Sequence, residues 1–375
     1  MKILVLGKFY PPVRGGIETH LQDLARAIGS THDVTVLVHH EGRETIEERV
    51  DGVRLIRAGT LLRPLNQPIS PAMLWLVRTL HPDVVHLHFP NAWSSLALLA
   101  TGGRQPLIIS HHADILGREP ARSLVVLGYR QLARRARVVV VSRRNNHRCS
   151  AHLQALPLRE VREIPFCAEP SPFAAEPGFV DEANALRRSH FGDKRVAIFV
   201  GRLVAYKGAD QMIAALQPTP LLRLVVVGGG PLDGALRAQA RALGVDDRIF
   251  FTGACDERTK QLWLAASDFL ILPSTTIAEA FGIVQIEAML WSKPVLTTNL
   301  PSGVPEVGEP NETSLVVPPS DVVALAEAMR RLTNDVDLCG RLGAAGFERA
   351  RKLFSFERFT RNCLELYSDA VRRPG

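Results

Sequence analysis

The chain has 375 residues, 46% of them hydrophobic and 6% aromatic, and carries a formal charge of +7. That length exceeds one small core and suits two domains of about 170 to 190 residues each. No span reaches the roughly 18 apolar residues of a membrane helix, and the five scattered cysteines (Cys149, Cys167, Cys255, Cys339, Cys363) suggest neither a disulfide frame nor a zinc site.

The opening MKILVLG is apolar for only five positions before Lys8, Phe9, Tyr10 and two prolines, which reads as a first buried strand and not as a signal peptide. A cytoplasmic protein is therefore expected. Short apolar runs then alternate with longer amphipathic ones, the signature of a parallel sheet with crossover helices. Strands are predicted at 3–6, 34–38, 53–56, 84–87, 107–109 and 138–141, and helices at 17–28, 72–80, 93–99, 124–134 and 143–156. Four prolines between Pro157 and Pro172 read as an interdomain linker. The theme repeats, with strands predicted at 196–200, 222–227, 249–252, 269–272, 295–298 and 315–317 and closing helices at 322–332, 335–352 and 356–371. The expected fold class is α/β, with two doubly wound, Rossmann-like domains (1–170 and 171–353) facing across a cleft and a last segment, 354–375, crossing back to the first.

The charge is uneven, since residues 1–170 hold 22 Lys/Arg against 14 Asp/Glu and the remainder 23 against 24. Arg118 to Arg148 contains nine arginines and one acid, Glu119. Such a tract can be an anionic-membrane footprint or a set of solvated helix faces. Nucleic acid is not an expected partner, because few aromatics interleave with the arginines.

The run PSTTIAEAFGIVQIEAML holds two carboxylates, Glu279 and Glu287, eight positions apart between a buried strand and a helix that Pro294 ends. On one continuous helix they would lie roughly 12 Å apart along its axis and would not converge. With Glu279 in the loop, Gly282 at the turn and Glu287 one turn inside, they bracket the free amides of a helix start. Such amides bind phosphate, and flanking carboxylates accept hydrogen bonds from sugar hydroxyls. That combination describes a nucleotide-sugar site.

A second constellation is Gly201, Arg202, Lys207 and Gly208 at the end of the first strand of the second domain, two cations where a diphosphate would need them. A third is Gly15-Gly16, where a backbone can approach a phosphate at the opening of the first helix. It is not a dinucleotide fingerprint, since no G-x-G-x-x-G follows Leu6. Gly228-Gly229-Gly230-Pro231 reads as a close-packed turn. All twelve histidines fall before residue 191. His86 and His88 share one face of a strand, while His111 and His112 end another, and one of the latter two is expected to meet the ligand. No metal is expected, because no carboxylate-rich ligand spacing accompanies the histidines. Asp335-Val336-Asp337 reads as a helix cap.

With these motifs in place, the chain resembles a retaining glycosyltransferase of family 4, of GT-B fold, along nearly its whole length. Glu279 and Glu287 match the paired glutamates of that family, Arg202 and Lys207 its phosphate loop, and Gly15-Gly16 its amino-terminal glycine loop. The resemblance implies that Glu287 holds the ribose hydroxyls, that Phe281, Gly282, Ile283 and Val284 offer amides to the diphosphate, and that Glu279 meets the transferred sugar. ISHHADI is similar to the active-site histidine strand of the family, which implies His112 against the donor sugar, with His111 as the alternative. DVVHLHFPNAW further resembles the branch that builds bacterial surface polysaccharides. Ala278 and Ser314 depart from that branch, which often has Ser and Gly there, and neither touches the proposed cations or carboxylates. The implied activity is hexosyl transfer from a nucleoside diphosphate sugar to a glycan or lipid-linked acceptor, without cofactor. A nucleotide-sugar epimerase or a catalytically silent binder of the same fold are the alternatives.

Overall fold

The computed structural model describes residues 1–13, 15–64, 67–103, 105–115, 120–154 and 156–372, without the side chains of 120–122 and 124. The chain forms two compact units, Met1–Cys167 with Phe356–Gly375, and Ala168–Ser355.

The first unit runs β1 (Lys2–Leu6), α1 (Gly16–Gly29), β2 (Asp33–His39), β3 (Ile46–Val50), β4 (Val53–Ala58), α2 (Pro71–Thr79), β5 (Val84–Phe89), α3 (Ala92–Thr101), β6 (Leu107–His111), α4 (Pro120–Arg135), β7 (Val138–Val141), α5 (Arg144–Cys149) and β8 (Val161–Glu163). Its sheet has the order β3-β4-β2-β1-β5-β6-β7-β8, and every pair is parallel except β3 with β4. Strands such as the four valines of β7 are apolar throughout because helices cover both faces of the sheet. One core packs Ile3, Val5, Val36 and Ile108 against α1, and the other packs Leu4, Leu6, Leu87 and Ile109 against residues of α2, α3 and α4.

The second unit continues with α6 (Phe179–Phe191), β9 (Arg195–Val200), α7 (Ala209–Leu216), β10 (Leu222–Val227), α8 (Asp233–Ala242), β11 (Ile249–Gly253), α9 (Glu257–Ala266), β12 (Phe269–Leu272), α10 (Val284–Leu290), β13 (Val295–Thr298), α11 (Val304–Val307), β14 (Ser314–Val317), α12 (Val322–Asn334) and α13 (Val336–Leu353). Its parallel sheet has the order β11-β10-β9-β12-β13-β14. In each unit the strand order reverses beside the first strand, between β1 and β5 and between β9 and β12. Ligands of open α/β sheets bind at such switch points, outside the carboxyl ends of the strands.

Several elements differ from the sequence expectation. β3 was not foreseen, because its IEERV pattern is charged and exposed. It is an edge strand whose Glu47 and Glu48 pair with Arg54 and Arg57 of β4, and the Asp51-Gly52 turn, both residues at positive φ, closes the hairpin. β8 lies inside the proline-rich stretch read as linker, pairing Val161, Arg162 and Glu163 with Val139 to Val141. The helix expected to reach 156 stops at Cys149. Ser150 is extended there, and its hydroxyl donates to Asp114 at 2.5 Å.

The last helix, α14 (Phe356–Arg372), supplies Phe359, Cys363, Leu366, Tyr367 and Ala370 to the core of the first unit. The Tyr367 hydroxyl meets His86 Nδ1 at 2.6 Å, Arg162 pairs with Asp369 at 3.0 Å, and Arg137 donates to the Ala370 carbonyl. Because Leu366 is only 1% exposed, Leu366→Ala should lower the stability of the first unit by about 2–5 kcal/mol, the usual cost of an apolar truncation that leaves a cavity. A drop in the urea midpoint checks this.

Candidate active site

The residues singled out in the second unit lie on the two loops that meet at its switch point. After β9, Gly201 and Arg202 lead into a single 3-10 turn, Ala205–Lys207, and Gly208 opens α7. Gly208 has φ 69°, and a Cβ there would strike the Pro273 carbonyl oxygen, so only glycine lets this loop close on the one after β12. The loops are also joined by the Thr275 amide donating to Tyr206 O at 2.8 Å.

Across this junction the Lys207 ammonium is ion-paired with Glu279 Oε2. Both side chains are buried, and Ser274 Oγ donates to the same carboxylate oxygen at 3.3 Å. Ser302 Oγ fixes the Glu279 carbonyl at 2.8 Å. Burial alone would lower the Lys207 pKa, but the Glu279 charge outweighs it and the net shift is upward. The lysine is thus a fixed cation at neutral pH. Its stem passes the Gly201 Cα, which leaves no side chain in the way. Arg202 is exposed and forms no ion pair among the described residues.

Beyond Glu279, Phe281 is buried edge-on to Phe354 with 6.0 Å between ring centroids, and Gly282 turns the chain at φ 76°. Gln285 pins the loop by donating to Phe281 O at 2.8 Å and Val304 O at 3.2 Å. The amides of Gln285, Ile286 and Glu287 are spent on Gly282 and Ile283 carbonyls, whereas those of Gly282, Ile283 and Val284 have no acceptor among the described residues. Glu287 sits in the first turn of α10 and pairs with Lys260 Nζ of α9 at 2.9 Å. Burial lowers the Lys260 pKa, and Glu287 with Glu257 more than reverse that. The result is a strip of alternating charge: Arg202, then the Lys207–Glu279 pair, three open amides and the Glu287–Lys260 pair.

In the first unit, Gly15 precedes α1 in an extended conformation and Gly16 begins it. His111 and His112 point to opposite sides. Both nitrogens of His111 are engaged, Nδ1 with the Tyr129 hydroxyl at 2.7 Å and Nε2 with Asp114 at 3.0 Å. His112 Nε2 meets His88 Nδ1 at 2.9 Å. Its other nitrogen has no hydrogen-bond partner among the described residues. His20 of α1 joins His88 and His112 in a buried group whose donor atoms lie within 4.8 Å of one another. Burial, aided by the neighbouring histidines, drives the pKa of His112 down to about 3 and those of His20 and His88 well below the usual value, so all three are neutral imidazoles. Asp335 caps α13, accepting from the Leu338 amide at 2.8 Å.

Sequence reasoning missed Lys260, Ser274, Ser302 and His20. Lys260, Ser302 and His20 act across elements, as Lys260 does on a residue 27 positions away, and no local pattern announces such a pair; Ser274 acts within its own loop, five positions from Glu279. The Gly228–Gly230 turn is structural, since a Cβ on Gly228 or Gly230 would collide with the backbone of Gly201 or Leu203.

Two ion-paired glutamates and three open amides thus gather at one switch point of a GT-B scaffold. Residues 14–165 match the model of Glycosyltransferase Family 4 and residues 182–349 that of Glycosyl transferases group 1. The chain is 32% identical over 281 residues to the D-rhamnosyltransferase WbpZ of Pseudomonas aeruginosa, covering 73% of this chain and 70% of that one. It is 25% identical to the O-antigen chain mannosyltransferase C of Escherichia coli over 98% of each. Among solved structures, Anabaena Alr3699/HepE in complex with UDP-glucose superposes with a TM-score of 0.80 at 22% identity, over 98% of this chain and 100% of that one. This chain belongs to glycosyltransferase family 4 and is a glycosyltransferase.

The buried pair lends itself to a direct test. Lys207→Met strands the Glu279 carboxylate and should cost about 1–3 kcal/mol, while adding Glu279→Gln should recover part of the loss. A double-mutant cycle by urea denaturation at neutral pH measures this. The raised lysine pKa means the contribution is complete there and fades only as pH climbs through the alkaline lysine range.

Proposed function

We propose that this enzyme is a retaining, metal-independent hexosyltransferase that moves a manno-configured sugar from a nucleoside diphosphate to a hydroxyl of a glycan or lipid-linked acceptor in surface-polysaccharide synthesis. The observation that carries the reading is the Lys207–Glu279 pair set beside Arg202 and the free amides of residues 282–284. In this reading Glu287 receives the ribose hydroxyls, the amides of Phe281 to Val284, with Gly15-Gly16, meet the diphosphate, and Glu279 and His112 meet the sugar.

As the bond from the anomeric carbon to the phosphate oxygen breaks, its electron pair goes to the diphosphate. Lys207 and Arg202 are cations aimed at that growing charge, so the chain itself can neutralise it and no metal is needed. Glu279 is tied up with Lys207, which blunts it as a nucleophile. The acceptor oxygen then bonds to the anomeric carbon on the face the diphosphate leaves, and its proton passes to a leaving phosphate oxygen. The manno configuration rests on the names of the relatives, since D-rhamnose is 6-deoxymannose.

A panel of GDP-mannose, UDP-glucose and ADP-glucose with a polysaccharide-primer lipid extract should give nucleotide release mainly from GDP-mannose, and NMR of the product should show the anomeric configuration of the donor retained. Conversion of the donor alone would indicate an epimerase, and binding without release a silent binder.

The basic tract supports weak attraction to an anionic membrane, in a narrower form than the sequence suggested. Arg118 and the side chain of Arg122 lie outside the described residues. Arg137 is committed to the Ala370 carbonyl and Arg143 and Arg144 to Glu163, while Arg134, Arg135 and Arg148 remain exposed. Leu127 is 54% exposed and shares a face of α4 with Arg134, seven positions on. No helix among the described residues is long and apolar enough to cross a membrane. Flotation with phosphatidylserine liposomes should recover the protein at low salt and lose it at high salt, and Arg134→Glu with Arg135→Glu should abolish recovery.

A further inference from the structure

The His88–His112 contact does more than pack two rings. Both side chains are almost fully buried, and His112 is flanked by His20 with 5.3 Å between centroids and by Phe166 at 5.5 Å. His86, the other histidine of β5, is not part of this contact: its nitrogens are taken by the Tyr367 and Ser110 hydroxyls at 2.6 and 2.8 Å. A neutral imidazole carries one N–H and one bare nitrogen, so a single hydrogen bond between two such rings sets the tautomers of both.

Two arrangements are possible across the 2.9 Å contact between His88 Nδ1 and His112 Nε2. If His112 donates, the His88 proton must sit on Nε2, which is buried and has no partner among the described residues. That would leave an N–H without an acceptor, the kind of orphan folded proteins avoid most strongly. If His88 donates, Nε2 is a bare lone pair and the orphaned N–H disappears.

We propose that His88 is a positioning residue: its Nδ1–H donates to His112 Nε2 and so locks His112 as the Nδ1–H tautomer, which presents a hydrogen-bond donor, and no base, to the sugar. This rests on the reading that His112 meets the transferred sugar. It agrees with the proposed transfer of the acceptor proton to the leaving phosphate, since the other nitrogen of His112 already holds a hydrogen. It also makes His112 complementary to a sugar hydroxyl oxygen, whose partial negative charge it can follow as the anomeric carbon turns positive.

The lock is read directly by 15N NMR of histidine-labelled full-length protein at neutral pH, with His112→Gln identifying the resonances. The expected result is a protonated Nδ1 and a bare Nε2 on His112. A protonated Nε2 on His112 would overturn the proposal, and so would one zinc per chain bound at His20, His88 and His112, since a ring nitrogen of each would then be a ligand. His88→Asn places an amide donor where Nδ1 was and should keep the tautomer and most of kcat. His88→Leu should lose the tautomer and about tenfold in kcat, the worth of one hydrogen bond, with the donor KM nearly unchanged. Turnover is followed as GDP release from GDP-mannose, or UDP release from UDP-glucose if the panel selects that donor. Should His88→Leu fail to fold, the wild-type tautomer and His88→Asn decide. Normal turnover in His112→Ala would remove His112 from the sugar and take the functional half of the proposal with it. An impaired His112→Ala beside a fully active His88→Leu would sink the role of His88 alone.

Discussion

The Lys207–Glu279 pair is the constraint around which the second unit is arranged. A lysine and a carboxylate leave water only if each finds the other, and neither could do so unless the loops after β9 and β12 met. Strand order brings them together, because β12 lies beside β9 and the chain has crossed to the other side of the sheet by then. The missing Cβ of Gly208, the Tyr206–Thr275 hydrogen bond and the Ser302 clamp are the local means of holding that contact. In the proposed function, a cation held this way needs little reorganisation when the diphosphate arrives, which is what electrostatic catalysis requires.

The first unit solves a different problem, burying several uncharged imidazoles at the ends of β5 and β6. Alternation along β6 divides the work. His111 faces Tyr129 and Asp114 and is saturated, while His112 keeps one nitrogen open. Asp114 also accepts from Ser150 Oγ and the Ala151 amide. Burial would raise its carboxyl pKa, but the hydrogen bonds from His111 and Ser150 outweigh it and hold the carboxyl below the usual range.

Much of this was legible because period and punctuation are local. Apolar runs ending at Gly or Pro marked the parallel strands, Gly282 and Pro294 framed α10, and the Gly-Arg and Lys-Gly steps stood out by composition. What escaped did so for stated reasons. β3 carries charges because an edge strand must, which makes it read as loop. β8 hides among prolines. Lys260 and His20 matter through partners on other helices or strands, and such pairings exist only once the topology is formed. The alternative left open between His111 and His112 is one of register, which a strand end does not announce in sequence.

The return of α14 has a consequence for the order in which the molecule can be made. The second unit is a single stretch, Ala168–Ser355, whereas the first needs residues from both ends of the chain. During synthesis, β1 to β8 emerge early with the groove that will receive Phe359, Leu366 and Tyr367 still uncovered. The second unit can close on its own before that groove is filled. Of the two units, the one whose strands are made earlier therefore finishes folding later, and its half-built apolar face is the surface a nascent chain would need to keep shielded.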